Sequence, residues 1–401
     1  MTMTHPSITL NLKNIGPFAQ ANIELKPITI ITGESSTGKT YLLKLLYLLS
    51  RTLSSVQEEM RKRPSGISME RINEIMNSLA SHLSLDLLKE GEEAGEVSCE
   101  IHTEEARYEL SFRTTRKGIA SLHIEKELLE QLKTTEQPLI KELLIPEDRL
   151  FMLKYLLPAC LEMLSKSMIE LIQELQKMSY GISISYPESL RALARSIPHY
   201  TIDLLMYMVL TITNPILFKE ALDLSNKTIK RYGAIEPKMG IGITFISKTG
   251  YRADINTAPE AIAATTIPLL PLPSFLRERA QVKLMMIDHL ETSLTPPLAE
   301  ALTHTLIEHI MKNKHLISVM VVHDMDTLVS LDIALRELMH KNMKEQVAVY
   351  EFIHEEKEVV CRQLKVSSKE GIEIPSYLDK YVTKLGSQQA KLLSTWPLPP
   401  S

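Results

Sequence analysis

Cysteine is scarce in this sequence of 401 residues. The three cysteines, Cys99, Cys160 and Cys361, stand far apart, and no C-x-x-C pair occurs. Structural zinc sites and disulfide frameworks both need cysteines at short, recurring spacings, so neither is indicated. We expect three separate thiols in core or surface positions.

The sequence also lacks a long uninterrupted apolar run. Its most apolar long stretch, Tyr200–Phe218, contains Asp203, Asn214 and Pro215, which favours a buried helix over a membrane span. The N-terminus shows no basic region followed by an apolar segment and a small-residue cleavage site, so no secretory signal is visible. We therefore expect a soluble cytoplasmic protein.

An excess of charge of one sign is absent as well. The 45 basic and 49 acidic residues give a net charge of -4, which excludes a uniformly basic nucleic-acid coat. Local basic clusters at Lys227–Arg231 and Arg113–Lys117 are candidates for contact with DNA. Solvated turns and helix ends are the favoured explanation of both clusters. No zinc finger, helix-turn-helix or aromatic RNA-binding pattern occurs.

Neither an internal repeat nor a sustained heptad pattern occurs, so a long coiled-coil arm is not expected. Hydrophobic residues make up 44% and charged residues 23% of the chain, which is typical of globular proteins. The length predicts about two to three domains.

The N-terminal residues show a strand-rich pattern. Ile8–Asn14 and Ala21–Lys26 alternate between apolar and polar residues, which predicts an antiparallel pair of half-buried strands. The β-branched run Ile28–Thr32 indicates a fully buried strand. The leucine-rich segment Tyr41–Ser50 indicates a helix.

The middle of the chain is predicted to be mainly helical after a short antiparallel meander. Strand-like runs lie at Val97–Thr103, Arg107–Arg113 and Gly118–Ile124. Helical sequence fills 126–180 and Glu188–Arg231, with breaks at prolines. Helix-prone sequence also covers Val56–Lys62 and Met69–Glu93.

The C-terminal part returns to alternating strands and helices. The predicted strands are Ile241–Ser247, Tyr251–Ile255, Val282–Ile287, Leu316–Val322, Val347–His354 and Glu358–Val366. The predicted helices are Pro297–Met311, Thr327–Asn342 and Ser376–Leu393. The resulting domain scheme is a discontinuous α/β head (1–55 and 233–395), a helix plus a small antiparallel β subdomain (56–125), a helical lobe (126–232) and a tail (396–401).

One segment matches the phosphate-binding pattern G-x-x-x-x-G-K-[ST] in full. The predicted strand before it and helix after it are the context that this motif requires, which disfavours a ligand-free glycine-rich turn. Gly33 and Gly38 permit backbone conformations that direct N–H groups at phosphate oxygens. Lys39 is predicted to reach the β- and γ-phosphates of ATP, and the Thr40 hydroxyl to bind Mg²⁺. The predicted nucleotide-binding residues are Gly33, Glu34, Ser35, Ser36, Thr37, Gly38, Lys39 and Thr40.

The residues that lead into this motif read N-I-G-P-F-A-Q-A-N-I-E-L-K-P-I-T-I-I-T-G. This sequence resembles the head domain of the ABC-type ATPases of the SMC/RecF/OLD group, over about Ile8–Ser50 and Ile235–Leu393. The resemblance implies an α/β P-loop NTPase of ABC/SMC-head type. That fold has an antiparallel β subdomain, a mainly parallel core sheet and here a mostly helical insertion.

A second family motif is present with one departure. The run Lys283–Asp288 reads as a Walker B strand, whose aspartate is predicted to hold Mg²⁺; an ordinary strand end is the alternative. The family pattern I-D-E-P-E-x-x-L-H-P is kept at Asp288, Glu291, Leu294 and Pro296. His289 replaces the glutamate that normally polarises the attacking water. Imidazole is a weaker substitute beside Mg²⁺, and Glu291 is a second candidate base, so slow hydrolysis is expected.

Two further family positions complete the sequence-based site. His323 follows an apolar strand and fits the histidine that contacts the γ-phosphate, or else it is a strand-end histidine with a local Asp324 partner. The serine–glycine signature that caps a partner's ATP has no counterpart in Asn256–Ala261, and no convincing Q-loop glutamine is identifiable. The predicted catalytic residues are His289, Glu291 and His323, and the predicted metal ligands are Thr40 and Asp288.

The resemblance implies an ATP-binding, slowly hydrolysing ATPase that uses Mg²⁺. It further implies a nucleotide-dependent homodimer that acts on DNA or on a protein effector, in repair or in defence against phages and plasmids. The lost glutamate and signature favour an alternative, a nucleotide-gated scaffold or sensor without turnover. A degenerate relative that binds no nucleotide is disfavoured by the intact phosphate-binding motif.

Overall fold

The computed structural model describes residues 5–62, 67–135, 137–152, 156–157, 198–238, 242–339, 343–356, 358–379 and 383. The helical predictions for 158–180 and for most of Ser376–Leu393 lie outside these residues. The strands are β1 (Ser7–Ile15), β2 (Phe18–Leu25), β3 (Ile28–Gly33), β4 (Ala94–His102), β5 (Arg107–Thr115), β6 (Gly118–Ile124), β7 (Ile140–Ile145), β8 (Gly233–Lys238), β9 (Gly242–Ser247), β10 (Arg252–Asp254), β11 (Val282–Ile287), β12 (Leu316–Val321), β13 (Val347–Glu355), β14 (Glu358–Leu364), β15 (Val366–Ser367) and β16 (Gly371–Ile372).

Within the described ranges, eleven strands form one mixed sheet in the order β6-β5-β4-β1-β2-β14-β13-β3-β12-β11-β7. Strands β13, β3, β12, β11 and β7 are parallel neighbours. Beyond β13 the pairing is antiparallel except between β14 and β2. The predicted α/β class, with an antiparallel part beside a mainly parallel core, is therefore confirmed. Strands β8, β9 and β10 form a separate antiparallel sheet.

Burial follows the sequence pattern strand by strand. Along β1 and β2 buried and exposed residues largely alternate, which is why their apolar–polar alternation was readable in the sequence. Every residue of β3, β11 and β12 is buried, as expected for parallel strands covered on both faces. Alternate residues of β11 enter two different apolar cores, Met285 and Ile287 in one and Leu284 and Met286 in the other.

The helices alternate with these strands. They are α1 (Lys39–Lys62), α2 (Met69–His82), α3 (Lys126–Thr134), α4 (Arg149–Phe151), α5 (His199–Thr213), α6 (Pro215–Ile229), α7 (Glu260–Leu269), α8 (Leu272–Arg277), α9 (Pro296–Lys312), α10 (Met325–Met339) and α11 (Met343–Gln346). Helix α1 is longer than the predicted Tyr41–Ser50 and includes Val56–Lys62, while α2 ends well before Glu93. Helices α9 and α10 connect β11 to β12 and β12 to β13, so each forms a crossover between parallel strands.

The prediction of mostly helical structure for 126–180 is wrong at β7. The segment I-K-E-L-L-I lacks alternation and is rich in good helix formers, so its local preference favours a helix. In the fold it pairs along its whole length with the edge of β11, from Val282↔Ile140 to Ile287↔Ile145. Tertiary pairing overrides the local preference here, and the sheet gains a fifth parallel strand. Strand β8 was likewise not predicted.

The apolar stretch Tyr200–Phe218 forms parts of two helices. The Asn214 side chain caps α6 by accepting hydrogen bonds from the backbone N–H groups of Ile216 (3.0 Å) and Leu217 (3.3 Å), and Pro215 occupies the first turn. Among the described residues no single helix is long and apolar enough to cross a membrane. Helices α5 and α6 reach that length only as a pair, bent by 105°.

Asp203, the charge in that stretch, belongs to a buried polar network. Its carboxylate accepts a hydrogen bond from the Tyr47 hydroxyl and lies 3.6 Å from the Arg51 guanidinium. Arg51 also donates to Glu142, at 3.2 Å, and burial raises the pKa of the Glu142 carboxyl. Buried charges persist when they are paired in this way. The network connects α1, which follows the phosphate-binding motif, to β7 and α5.

Candidate functional site

The predicted site residues meet at one edge of the parallel sheet. The phosphate-binding loop follows β3, Asp288 follows β11 directly, and His323 lies just beyond β12. Because these strands are parallel, their carboxyl ends share an edge, which is where open α/β sheets bind ligands. The neighbouring strand β7 brings Glu147 to the same edge.

The loop from Gly33 to Gly38 adopts a conformation that other residues would not tolerate. Gly33 has a φ of +137° and Gly38 a φ of +86°, both in the region that favours glycine. A Cβ at Gly33 would lie 2.0 Å from the Phe352 carbonyl oxygen, and one at Gly38 would lie 2.3 Å from Pro17 Cγ. The close approach of β13 and of the β1–β2 turn therefore explains why both positions are glycine.

The loop also presents unused hydrogen-bond donors. Among the described residues, the backbone N–H groups of Ser35, Ser36 and Gly38 have no hydrogen-bond acceptor, and Ser35 and Ser36 form a tight turn between Glu34 and Thr37. The first turn of α1 follows directly, and its N-terminus carries partial positive charge. Consecutive open N–H groups at a helix N-terminus are the physical basis of phosphate binding.

Lys39 folds back over the loop. Its ammonium donates to the carbonyl oxygens of Gly33, at 2.9 Å, and of Glu34, and contacts Thr37 Oγ1 at 3.3 Å. Burial lowers the pKa of Lys39 to about 8, although Asp288, Glu291 and Glu34 oppose that shift. The side chain is thus a nearly buried cation next to carboxylates, held by contacts that an anionic ligand can replace.

Thr40 and Asp288, the predicted metal ligands, lie close enough for Thr40 to influence the Asp288 carboxyl. Asp288 is buried, and this burial raises the pKa of its carboxyl, although Thr40 opposes the shift. Asp288 Oδ1 has no hydrogen-bond partner in the described residues. A buried carboxylate oxygen with an open lone pair beside a threonine hydroxyl is a donor set that suits Mg²⁺, which prefers oxygen ligands.

His289, Glu291 and His323 form a compact group that we call the His–Glu–His cluster. The two imidazole rings stack at a centroid distance of 4.0 Å and an interplanar angle of 14°. His289 Nδ1 lies 3.7 Å from Glu291 Oε1, and His289 Nε2 lies 3.6 Å from Glu147 Oε2. His289 has a φ of +49°, so the backbone turns sharply straight after Asp288.

The cluster has its own electrostatics. Glu291 accepts a hydrogen bond from the His323 backbone N–H at 2.9 Å, and burial raises the pKa of its carboxyl to about 7. Burial, reinforced by Lys39 and His289, lowers the pKa of His323 to about 3, so its imidazole is neutral near neutral pH. Buried Glu291 Oε2 and His323 Nε2 have no hydrogen-bond partner among the described residues.

Arg149 is a site residue that the sequence analysis missed. Its buried guanidinium donates to four carbonyl oxygens of the segment after β11, those of Asp288 (3.1 Å), His289 (2.9 Å), Leu290 (3.1 Å) and Thr292 (3.2 Å). Burial lowers its pKa to about 10, against the attraction of Glu291 and Asp288. Arg149 thereby fixes the backbone that carries Asp288 and His289. No local pattern marks it, because all four acceptors lie far away in the sequence.

Tyr377 is a second residue that was missed. Its hydroxyl lies 2.7 Å from Thr32 Oγ1 and 3.2 Å from the His323 carbonyl oxygen, so it joins the ends of β3 and β12. Glu351 on β13 anchors this turn by accepting hydrogen bonds from the Ser376 hydroxyl and the Tyr377 N–H. The sequence analysis predicted a helix that begins at Ser376, but it did not predict the contact of Tyr377 with the site.

The segment Asn256–Ala261, which has no serine–glycine signature, leads into α7. Its Glu260 accepts a hydrogen bond from the Ser293 hydroxyl at 2.6 Å, in the loop that follows the Walker B strand. Asp324, the local partner in the alternative role of His323, accepts hydrogen bonds from the N–H and hydroxyl of Thr327. In the basic cluster Lys227–Arg231, Lys227 pairs with Glu308.

The fold thus brings Lys39, Thr40, Asp288 and the His–Glu–His cluster together, while the roles assigned to these residues stay predictions. No protein-family model and no curated protein sequence matches the chain. Among solved structures, it is similar to the SMC head domain from Thermotoga maritima, with 9% identity, a TM-score of 0.44, and coverage of 90% of this chain and 100% of that one.

Two further structures show a similar degree of likeness. One is the Smc head domain with an extended coiled coil, bound to the C-terminal domain of ScpA, derived from Pyrococcus furiosus, with 12% identity, a TM-score of 0.46, and coverage of 96% and 100%. The other is an SmcHead bound to the C-winged helix domain of ScpA, with 12% identity, a TM-score of 0.46, and coverage of 89% and 97%. Likeness at this level concerns the overall chain arrangement and assigns no activity.

Proposed function

We propose that this chain is an ATP-binding P-loop protein of ABC/SMC-head type that hydrolyses ATP slowly. The observation that carries the proposal is that the open phosphate-binding loop lies beside Asp288 and the His–Glu–His cluster. These residues contain buried atoms that have no hydrogen-bond partner among the described residues. Within the described part of the chain, three loop N–H groups without an acceptor, the Lys39 ammonium and unpartnered Asp288 Oδ1 lie at one sheet edge. A triphosphate with its divalent cation supplies partners for each of them.

Each residue has a defined task in this proposal. The loop N–H groups hold the β-phosphate, and Lys39 leaves its carbonyl partners to contact the β- and γ-phosphates. Thr40 and Asp288 hold Mg²⁺, which neutralises phosphate charge when bound. His323, neutral and with an open Nε2, is placed to contact the γ-phosphate. Arg149 keeps the Asp288 segment in position.

The rate of hydrolysis is limited by the group at position 289. A carboxylate at that position would orient and polarise the attacking water, whereas His289 is packed flat against His323. Glu291, the other candidate base, accepts the His323 backbone N–H through Oε1, which restrains its carboxylate. Both observations support slow turnover, and they equally favour the second candidate, a nucleotide-gated scaffold without turnover.

The binding site is tested by Lys39→Ala. We expect the variant to bind Mg-ATP about 10- to 100-fold more weakly, since a charge-assisted contact contributes about 1.5–3 kcal/mol. Isothermal titration calorimetry measures the change. Lys44→Ala is the matched control, because Lys44 lies on the same helix but is partly exposed. If the Lys39→Ala and Lys44→Ala variants bound Mg-ATP with equal affinity, ATP would not bind at this loop.

Pairing of two heads follows from the resemblance, because the family closes its nucleotide site with a second head. We expect the molar mass from light scattering to double when ATP and Mg²⁺ are added, and Lys39→Ala to remain monomeric. An unchanged mass under saturating ATP would exclude nucleotide-dependent pairing. Action of the pair on DNA or on an effector protein is the corresponding proposal for the partner.

A further inference from the structure

The His–Glu–His cluster has a chemistry that ATP binding does not require. His289, Glu291 and His323 each offer one ligand atom, and these three atoms lie within 4.8 Å of one another. Two are aromatic nitrogens and one is a carboxylate oxygen. Mg²⁺ prefers oxygen ligands, whereas imidazole suits zinc and the neighbouring transition ions.

We propose that the His–Glu–His cluster binds one divalent transition ion of the Zn²⁺ or Co²⁺ type in the nucleotide-free chain. This site does not use the Mg²⁺ ligands Thr40 and Asp288 and goes beyond the proposed ATP binding. It shares His323 with the proposed nucleotide site, so the ion and the γ-phosphate contact of His323 exclude each other. Two imidazoles and a carboxylate are a known donor set for such ions, with a fourth position left to water or substrate.

Unsatisfied atoms point to a missing ligand. Buried His323 Nε2 and Glu291 Oε2 have no hydrogen-bond partner among the described residues. Leaving such atoms unpaired costs free energy, and a coordinated cation would satisfy both. The carboxyl groups of Glu291 and Glu147 lie on either side of His289, at 3.7 and 3.6 Å, and a bound cation would favour the ionised form of Glu291.

Binding requires a small rearrangement. A tetrahedral ion with bonds of about 2.0–2.1 Å needs ligand atoms about 3.3 Å apart, so the three atoms must draw together. The stacked imidazoles must also separate, since two parallel rings cannot both point a lone pair at one ion. His289 is partly exposed, with 23% of its side chain accessible, and can turn about its side-chain torsions.

The Lys39 ammonium repels a cation bound at the His–Glu–His cluster, since Lys39 is close enough to lower the pKa of His323. Removing Lys39 should therefore leave ion binding intact or strengthen it, while it weakens ATP binding. This opposite response separates the two proposals experimentally.

The test is a titration of the nucleotide-free protein with Co²⁺, monitored by visible absorption. Zn²⁺ is then added to displace the bound Co²⁺. We expect one Co²⁺ per chain with ligand-field bands of low-coordinate geometry. His323→Ala and His289→Ala should each weaken binding about tenfold or more. His304→Ala is the control, because His304 also faces a glutamate, Glu337 at 3.7 Å, but lies outside the cluster. Circular dichroism verifies that each variant is folded.

The outcomes are distinct. Absence of ligand-field bands, or equal Co²⁺ affinity in wild type, His323→Ala and His289→Ala, overturns the ion site. Co²⁺ binding that persists in Lys39→Ala, together with its loss in the histidine variants, supports it. If wild type binds Co²⁺ but not Mg-ATP, the proposed function fails while this inference stands. If wild type binds Mg-ATP but no Co²⁺, this inference fails while the proposed function stands.

Discussion

Replacing Arg149 by alanine should lower the free energy of unfolding by about 3 kcal/mol or more. The guanidinium donates to four carbonyl oxygens between Asp288 and Thr292, and it is fully buried. Its removal leaves buried acceptors unpaired, at about 1–3 kcal/mol each, and opens a cavity behind the Walker B segment. Urea denaturation followed by circular dichroism measures the loss.

The matched control is Arg71→Ala. Arg71 forms ion pairs with Glu59 and Glu74, but its side chain is 44% exposed, so its removal should cost about 0–1 kcal/mol. Arg149→Lys should recover only part of the stability, because one ammonium cannot span four carbonyl oxygens as a planar guanidinium does. If Arg149→Ala unfolds at the same urea concentration as Arg71→Ala, the guanidinium does not hold this segment.

Arg149 also illustrates where sequence analysis stops. The phosphate-binding loop was predictable because its chemistry is local: two glycines, a lysine and a threonine at fixed spacing between a strand and a helix. The alternating β1 and β2 and the mostly apolar β3, β11 and β12 were predictable for the same reason. Burial largely alternates along β1 and β2 as the residue types do, and it is continuous along the three mostly apolar strands.

The missed features depend on contacts between distant parts of the chain. Strand β7 has a helix-like composition and is a strand because β11 offers it an open edge. Tyr377 acquires its place only when the C-terminal turn reaches Thr32 across the sheet edge. His289 was recognised as a departure from a motif, but its stacking on His323 was not foreseeable. That contact depends on how closely β11 and β12 bring their ends together.

Because His289 is stacked on His323, we expect a substitution at position 289 to have the largest effect on the rate of ATP hydrolysis. We expect His289→Glu to raise the rate of ATP hydrolysis about 10²–10⁴-fold, the usual contribution of a positioned general base. A carboxylate there would sit next to Asp288, Glu291 and Glu147, so the variant should be less stable without Mg-ATP. Steady-state phosphate release at saturating Mg-ATP measures the rate.

His289→Gln is the matched control, since it has the length of glutamate and lacks both its charge and its basicity. The Gln variant should hydrolyse no faster than wild type, and adding Asp288→Ala to the Glu variant should abolish the gain, because the cation ligand is then lost. Equal rates for the Glu and Gln variants would mean that position 289 does not contact the attacking water. Wild-type turnover as fast as that of His289→Glu would instead mean that histidine already serves as the base, and it would rule out the scaffold without turnover. A gain confined to the Glu variant would show that the site retains everything for hydrolysis except the carboxylate.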